Sequence, residues 1–416
     1  MALIVQKYGG TSVADADRMR AVAENIAFTR RQGHDVVVVV SAMGKETDNL
    51  IALANAVSTT QPGREMDMLL TIGERKSMAL LCMALAGLGV DAMSFTGSQV
   101  GIITDNVHGK AKILEVKGDR VREALAEGKV CVVAGFQGVS TEKEITTLGR
   151  GASDLTAVAL AAAFQAASCE IYTDVTGVFS SDPRLVPQAR KLNRVHFDEM
   201  LEIAAAGGRV LALRSVEFAR NHNVALHVRS SFTWEPGTWV TNEEPSVEDP
   251  IISAVVHDVS ESKVTVSAVP DRPGVSAALF EPLAASNVNV DMIVQNTSKD
   301  GMTDISFTVP KADMGVAEKV VSDVAAQIGA GGVSHEGDIA KVSIVGAGMK
   351  TSPGIAAKMF RVLADEGINI EMISTSTIRI SVVMAADGME RALRSLHTAF
   401  GLDSGQAYSA PLPERR

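Results

Sequence analysis

A lysine running straight into a glycine pair, Lys7-Tyr8-Gly9-Gly10-Thr11-Ser12, is the first group in this chain equipped to hold phosphate. Glycines let backbone N–H groups approach phosphate oxygens, and the ammonium neutralises them. The pattern GxxxxGK(S/T) is absent, so the stretch is not a Walker A loop. A second glycine-bearing stretch, Thr147-Leu148-Gly149-Arg150-Gly151-Ala152-Ser153-Asp154, leads into an alanine-rich run. Ser153 and Asp154 suit the capping of that helix, and Arg150 suits bidentate capture of a carboxylate. One loop would then serve a carboxylate substrate and a phosphate together. Thr173-Asp174-Val175-Thr176-Gly177-Val178-Phe179, followed by Ser181-Asp182-Pro183-Arg184, reads on its own as turn chemistry. Glu74, in Gly73-Glu74-Arg75, reads as a solvated helix charge.

Loops of this kind need strands that end at a common edge. Leu3–Gln6, Val36–Val40, Val130–Ala134 and Glu170–Thr173 read as strands, the second as a central parallel one from its unbroken β-branched run. Helical stretches at Ala16–Arg30, Val121–Ala126 and Ala157–Ala166 separate them, so the first half is expected to be an open α/β sandwich. In 416 residues two to four compact units are expected, and 46 % apolar residues can fill their cores. A formal charge of −10 without clustered Lys and Arg disfavours nucleic acid as a partner. Cys82, Cys131 and Cys169 have no CxxC or Cys/His spacing, which disfavours zinc and a disulfide framework and suggests buried thiols. Met1–Gln6 lacks the pattern of a signal peptide and no apolar run reaches the length of a membrane span. Cytoplasmic residence with no membrane partner is the default expectation.

Around Glu235–Pro250 three prolines and little apolar content mark a boundary. Beyond it Pro273-Gly274, Phe280, Leu283-Ala284, Asn289 and Met292-Ile293 recur eighty residues later as Pro353-Gly354, Phe360, Leu363-Ala364, Asn369 and Met372-Ile373. Each copy reads as a strand (Lys263–Val269; Lys341–Val345), a Pro-Gly loop, a helix, and a second strand opened by Asn-Val-Asp or Asn-Ile-Glu. The Pro-Gly loop at a helix N-terminus offers N–H groups to a carboxylate. These copies resemble ACT domains, which bind amino acids where paired modules meet. The expected division is 1–245 as catalytic unit, 246–262 as linker and ACT entry, and 263–337 and 338–416 as the two ACT units.

Lys7–Gly10, Ser41-Ala42-Met43-Gly44, Gly73-Glu74-Arg75, Phe95-Thr96-Gly97-Ser98-Gln99, Gly135-Phe136-Gln137-Gly138, Gly149–Asp154 and Thr173–Arg184 stand in the order and spacing of the aspartate kinases. With the paired ACT copies, the resemblance covers essentially the whole chain. It implies an amino-acid-kinase-like α/β sandwich followed by two ferredoxin-like ACT units. It also implies transfer of the γ-phosphoryl group of ATP to the β-carboxylate of L-aspartate, the first step toward lysine, threonine and methionine. A carboxylate with a pKa near ~3.9 is already ionised at neutral pH, so no general base is needed. Positioning and relief of anionic repulsion remain to be supplied.

By that resemblance Lys7 stabilises the transferring phosphoryl group and Asp154 orients the cations around it. Arg150 clamps the substrate carboxylate, Glu74 meets its ammonium, and Thr47, Gly151, Ala152 and Ser153 lie beside it. Lys7, Tyr8, Gly9, Gly10, Ser41, Thr173, Asp174, Phe179, Ser180, Asp182, Arg184 and Arg209 form the nucleotide face, with Mg²⁺ carried by the ATP phosphates and no metal site in the protein. The effector positions are Asp271, Gly274, Val275, Ser276, Asn289, Val290, Asp291 and Gln295 in the first copy. Ile355, Ala356, Asn369, Ile370, Ser376 and Thr377 are those of the second. Threonine or lysine is the expected effector, and a homodimer or larger oligomer through the ACT units the expected assembly.

Several positions depart from the family pattern. Ala152 and Leu155 interrupt Gly-Arg-Gly-Gly-Ser-Asp-Thr-Thr, and the Cβ of Ala152 would disfavour positive φ and crowd a phosphate. Arg209 replaces a lysine, Val275-Ser276 replaces Glu-Ala, Ala356 stands where Thr is frequent, and Thr377 replaces a Glu. Loss of that carboxylate should weaken a cationic effector such as lysine more than threonine. Feedback is therefore expected to be weakened or altered. A paralogue acting on an aspartate analogue, or a degenerate ACT sensor, are the alternatives.

Overall fold

The five valines Val36–Val40 are fully buried, and their strand lies inside an eight-stranded sheet with a parallel partner on each side. A computed structural model describes residues 2–149, 151–242, 252–296 and 300–403. The chain opens with β1 (Leu3–Tyr8), α1 (Ala16–Arg31), β2 (Asp35–Val40), α2 (Glu46–Val57), α3 (Gly63–Leu70) and α4 (Ile72–Gly87). It continues through β3 (Ala92–Phe95), α5 (Gly97–Val100), β4 (Ile102–Thr104), β5 (Ile113–Val116), α6 (Asp119–Ala126), β6 (Val130–Ala134), β7 (Gln137–Ser140) and β8 (Ile145–Thr147). Then come α7 (Ala152–Ala163), β9 (Ser168–Thr173), β10 (Arg194–His196), α8 (Phe197–Ala205), α9 (Leu213–Asn221), β11 (Leu226–Ser230) and β12 (Thr238–Thr241).

The large sheet runs β10-β12-β11-β9-β1-β2-β6-β3, parallel throughout except between β11 and β12. Alternate residues feed two cores. Val36, Val38 and Val40 pack with Met19, Val22 and Ile26 of α1 and Leu81 and Leu85 of α4, while Val37 and Val39 pack with α7, α8 and α9. This is the expected open α/β sandwich. The C-terminal ends of β1, β2, β6 and β9 therefore share one edge, where ligands of open parallel sheets bind. A smaller sheet, β5-β4-β7-β8, grows from the ends of β3 and β6 beside that edge.

The second half holds β13 (Ala254–Asp258), β14 (Glu261–Pro270), α10 (Val275–Ala285), β15 (Ile293–Gln295), β16 (Met302–Pro310), α11 (Met314–Ile328) and β17 (Gly332–Glu336). It ends with β18 (Ile339–Val345), α12 (Ile355–Asp365), β19 (Met372–Thr375), β20 (Arg379–Ala385) and α13 (Met389–Ala399). One sheet is ordered β15-β16-β14-β17 and the other β19-β20-β18-β13. The repeat reaches the dihedral level, since Gly274 and Gly354 cap α10 and α12 in the left-handed region with φ 94° in both. Only glycine takes that conformation freely.

The span 246–262, expected as linker and ACT entry, holds a strand of the second ACT sheet. It contains β13, which pairs antiparallel with β18 from Ala254 opposite Val345 to Asp258 opposite Lys341. β13 occupies the place in the second sheet that β17 takes in the first, so the second ACT unit is assembled from two separated pieces of chain. Without β13 the outer edge of β18 would present unpaired N–H and C=O groups. Residues 246–251 and 404–416 of the expected division lie outside the described residues. The cysteines are free thiols, Cys131 and Cys169 buried and Cys82 half-buried. Among the described residues no helix is long and apolar enough to cross a membrane.

Candidate active site

Strand alternation sends Gln6 and Tyr8 beneath α1 and Lys7 to the opposite face of the sheet. There Lys7 Nζ lies 2.6 Å from Asp154 Oδ1, with both side chains about nine-tenths buried. Asp154 stands in the first turn of α7, whose cap is the backbone of Gly151 at φ 76° with no side-chain bond. The expected capping by Ser153 and Asp154 is thus not what the structure shows. Gly151 turns the chain into the helix ahead of them, which leaves the Asp154 carboxylate to pair with Lys7. Arg150 lies outside the described residues.

The glycine turn is fastened to the loop after β2. Ser41 N donates to Tyr8 O at 3.1 Å and Gly44 N to Gly10 O at 3.0 Å. A methyl group on Gly10 would stand 2.8 Å from Ala42 O, so only glycine lets the two loops meet. Thr47 lies half-buried in the first turn of α2.

Glu74 is a buried group, not the solvated helix charge suggested by its neighbours, with 3 % exposure. Its Oε1 accepts from Ala42 N at 3.1 Å, and its Oε2 is buried with no hydrogen-bond partner. Burial raises its pKa to about 7, against the opposing pull of the backbone N–H bonds. A carboxylate with one oxygen anchored and one vacant suits a cationic head brought by a ligand.

The expectation that Ala152 would meet a demand for positive φ is corrected. Ala152 is the first residue of α7 and is not among the positive-φ residues. Its methyl packs with Ala111, Phe136, Leu148 and Leu155 in a small apolar cluster. Both substitutions build the wall behind the loop. Two groups that sequence reasoning passed over hold that wall in place. Asp67, 1 % exposed, accepts from Thr147 Oγ1 at 2.5 Å and Gly109 N at 3.1 Å, and bonds His108 Nδ1 at 2.7 Å. Arg214 donates to Leu148 O at 2.8 Å and to Ala111 O at 2.9 Å. Asp67 lies on an amphipathic helix where a carboxylate ordinarily faces water, so nothing in the local pattern flags it.

The expected nucleotide face is only partly assembled. Thr173 and Asp174 lie beside the glycine turn, where Gly9 N donates to Tyr172 O at 3.3 Å and Thr173 Oγ1 to Asp174 Oδ1 at 3.0 Å. Arg184 is exposed and binds Asp182 at 2.7 Å, which holds the Asp182 carboxyl below the usual range. Arg209 is exposed, and Phe179 is half-buried and bridged to Lys191. Two assignments fail. The Tyr8 ring is fully buried and stacked on Tyr172, so only its backbone reaches the site. Ser180 is also fully buried; its hydroxyl bonds His397 Nε2 of α13 at 2.9 Å and its carbonyl accepts from Val255 N of β13 at 2.7 Å. It joins the two halves of the chain.

Among the effector positions, Asp271, Gly274 and Ser276 are exposed around the start of α10, with Ser276 Oγ 3.5 Å from the exposed Gln295 Oε1, whereas Asn289 is exposed beyond the far end of that helix. Val275, Val290, Ile355, Ala356 and Ile370 turn to the cores of their units. Asn369 and Thr377 are exposed. Asp291 binds Lys341 at 2.5 Å, an internal pair that occupies its carboxylate. Ser376 Oγ donates to Glu202 Oε1 of α8 at 2.9 Å.

The amino acid kinase family model matches residues 2–230, and an ACT domain model matches 264–324 and 342–400. The aspartokinase of Mycolicibacterium smegmatis is 55 % identical over 407 residues, 97 % of each chain. That of Corynebacterium glutamicum is 53 % identical over the same 97 % of each. Among solved structures, E. coli aspartokinase III in complex with aspartate and ADP, in the R-state, has a TM-score of 0.83 at 25 % identity. The match covers 95 % of this chain and 99 % of that one. The same enzyme with lysine and aspartate, in the T-state, has a TM-score of 0.73 at 25 % identity, over 96 % and 99 % of the two chains.

Proposed function

The chain belongs to the aspartokinases within the amino acid kinase family, and from that premise we propose that it transfers the γ-phosphoryl group of ATP to the β-carboxylate of L-aspartate, giving 4-phospho-L-aspartate. The observation that carries this reading is the 2.6 Å pair of Lys7 and Asp154 at the sheet edge, with the half-vacant Glu74 carboxylate of α4 anchored on the adjoining loop through Ala42 N. The Glu74 Oε2 receives the substrate α-ammonium, and Arg150 its α-carboxylate. The β-carboxylate is then free to attack in line, with Lys7 offsetting the charge that gathers on the transferred group. No step needs a protein base, since the nucleophile is already ionised. Asp154 keeps the lysine aimed.

Mg²⁺ would be carried by the ATP phosphates, whose charge it would help to neutralise, while Asp154 is engaged by Lys7. The chain's own part is to seat the nucleotide against Gly9, Gly10 and the 173–184 loop.

The ACT pair takes an amino-acid effector at the exposed ring around α10, with a neutral one favoured over lysine because Thr377 brings no carboxylate. The overall arrangement is nearer the aspartate and ADP complex than the lysine complex, which supports a catalytically competent state for the conformation described. The test is Mg·ATP-dependent acyl-phosphate formation from L-aspartate, trapped as the hydroxamate, with threonine and lysine added singly and together. Turnover is expected; folded, ADP-binding protein that leaves aspartate untouched would refute the substrate assignment, and lysine inhibiting more strongly than threonine would refute the effector one.

A further inference from the structure

On the face turned away from Lys7, three neighbouring strands carry a buried polar and aromatic layer with no part in the scheme above. Register sets Gln6 of β1 beside Glu170 of β9 and His227 of β11, then Tyr8 beside Tyr172 and Arg229. Glu170, 4 % exposed, gathers the layer. Gln6 Nε2 and Tyr172 OH donate to its Oε2 at 2.9 and 3.0 Å, Arg229 Nη1 donates to its Oε1 at 3.2 Å, and His227 Nδ1 lies 3.9 Å away. Tyr8 stacks on Tyr172 with ring centroids 4.6 Å apart. Its hydroxyl donates to Gln6 Oε1 at 3.3 Å and accepts from Asn25 of α1 at 3.0 Å. Burial alone would raise the Glu170 pKa, but His227, Arg229 and Gln6 outweigh it and hold it at about 2.

Stability is a weak reason for such a layer, because apolar groups of equal volume commonly hold strands together as well as a buried ion pair does. Its position supplies a better one. Lys7 lies between Gln6 and Tyr8, both gripped by the layer, and the next N–H, that of Gly9, is bonded to Tyr172 O at 3.3 Å. Farther along the turn the Ser12 and Ser231 hydroxyls are 2.5 Å apart, which ties it to the end of β11. A group acting on a transferring phosphoryl must be held to within about 0.5 Å, and a strand end leading into two glycines is where a backbone drifts.

We propose that Glu170 is a positioning residue for phosphoryl transfer, fixing the end of β1 through Gln6 and the Tyr8–Tyr172 stack so that Lys7 stands opposite Asp154. The proposal rests on the aspartokinase reading. Its test needs care, because Glu170→Gln alone leaves Arg229 without its counter-charge and invites misfolding. Glu170→Gln combined with Arg229→Met removes the charges as a pair at similar volume. Competent sites are counted by calorimetric ADP binding, and kcat is expressed per binding site.

Per site, kcat should fall about tenfold or more while the KM for aspartate stays within about twofold, because misplacing a group that acts on the transferring phosphoryl harms turnover more than substrate binding, and Glu74 itself stands on α4, outside β1 and the buried layer. Repeated in a Lys7→Arg background, the same pair of substitutions should cost no more than about threefold, since effects passing through one residue do not multiply. An unchanged kcat per site, a loss of ADP binding, or an equal factor in both backgrounds would each overturn the proposal. Failure of the unsubstituted protein to phosphorylate aspartate would instead defeat the reading on which it rests.

Discussion

Glu74 holds a carboxyl group where water is excluded, and two consequences of opposite sign follow. Its raised pKa, about 7, means that the folded chain keeps a proton there that the unfolded chain has already released. From the ordinary carboxylate range up to about pH 7, rising pH therefore lowers the stability that this group contributes. Glu74→Gln should raise the Tm of the unliganded protein at pH 8, measured by calorimetry. Aspartate binding calls for the ionised form, so its KM should climb up to about tenfold per pH unit below pH 7 and the climb should vanish in Glu74→Gln. A KM flat between pH 5.5 and 8 in the unsubstituted protein would sink this account. Lys7→Ala should cut kcat by about a hundredfold or more with the KM for aspartate changed little, as expected of a charge that acts in the transition state.

At the scale of elements, the site depends on loops that touch through glycine and on one helix that faces both ways. Gly10→Ala would press a methyl group into the Ala42 carbonyl and part the glycine turn from the Ser41–Gly44 loop. It should lower activity about tenfold or more with ordinary far-UV circular dichroism, because the strain is local to the turn. Helix α8 carries Glu199 and Glu202 into the second ACT unit. Glu199 accepts from Ala347 N at 3.1 Å, and Glu202 binds Arg379 at 3.1 Å together with Ser376. Glu202→Gln weakens that grip, so amide exchange at Ser376–Arg379 should quicken while effector-free kcat stays within about twofold. Unchanged exchange would show that the contact holds nothing.

At the scale of the molecule, the two ACT units hold each other by exchanged charges. Lys263 of β14 binds Glu371 beside β19 at 2.7 Å, and Lys341 of β18 binds Asp291 beside β15 at 2.5 Å and Glu261 at 3.0 Å. The acids are the third residues of Asn-Val-Asp and Asn-Ile-Glu, so the repeat noted in sequence is a reciprocal clasp. Lys341 is 1 % exposed and Lys263 12 % by side chain. Lys341→Met would leave Glu261 and Asp291, 13 % and 34 % exposed by side chain, without their shared counter-charge and should destabilise the regulatory half more than Lys263→Met does. Denaturant midpoints for the two variants check the order.

Some of this was legible in the chain before it was folded. The valine run, the glycine loops and the eighty-residue repeat are local patterns, and strand and turn preferences act over a few residues, so order along the sequence was enough to place β2, the glycine turn after β1 and the paired ACT units. The set of motifs pointed to the family without any contact being known. What belonged to the tertiary structure alone were the partners, because a charge or hydroxyl carries no mark of what it will meet. Whether Glu74 faced water or a dry pocket, whether Ser180 lay open or met His397, whether Ala152 stood in a turn or in a small core, and where β13 found its sheet were each decided by packing between residues far apart in the chain, where burial sets the energy of a polar group.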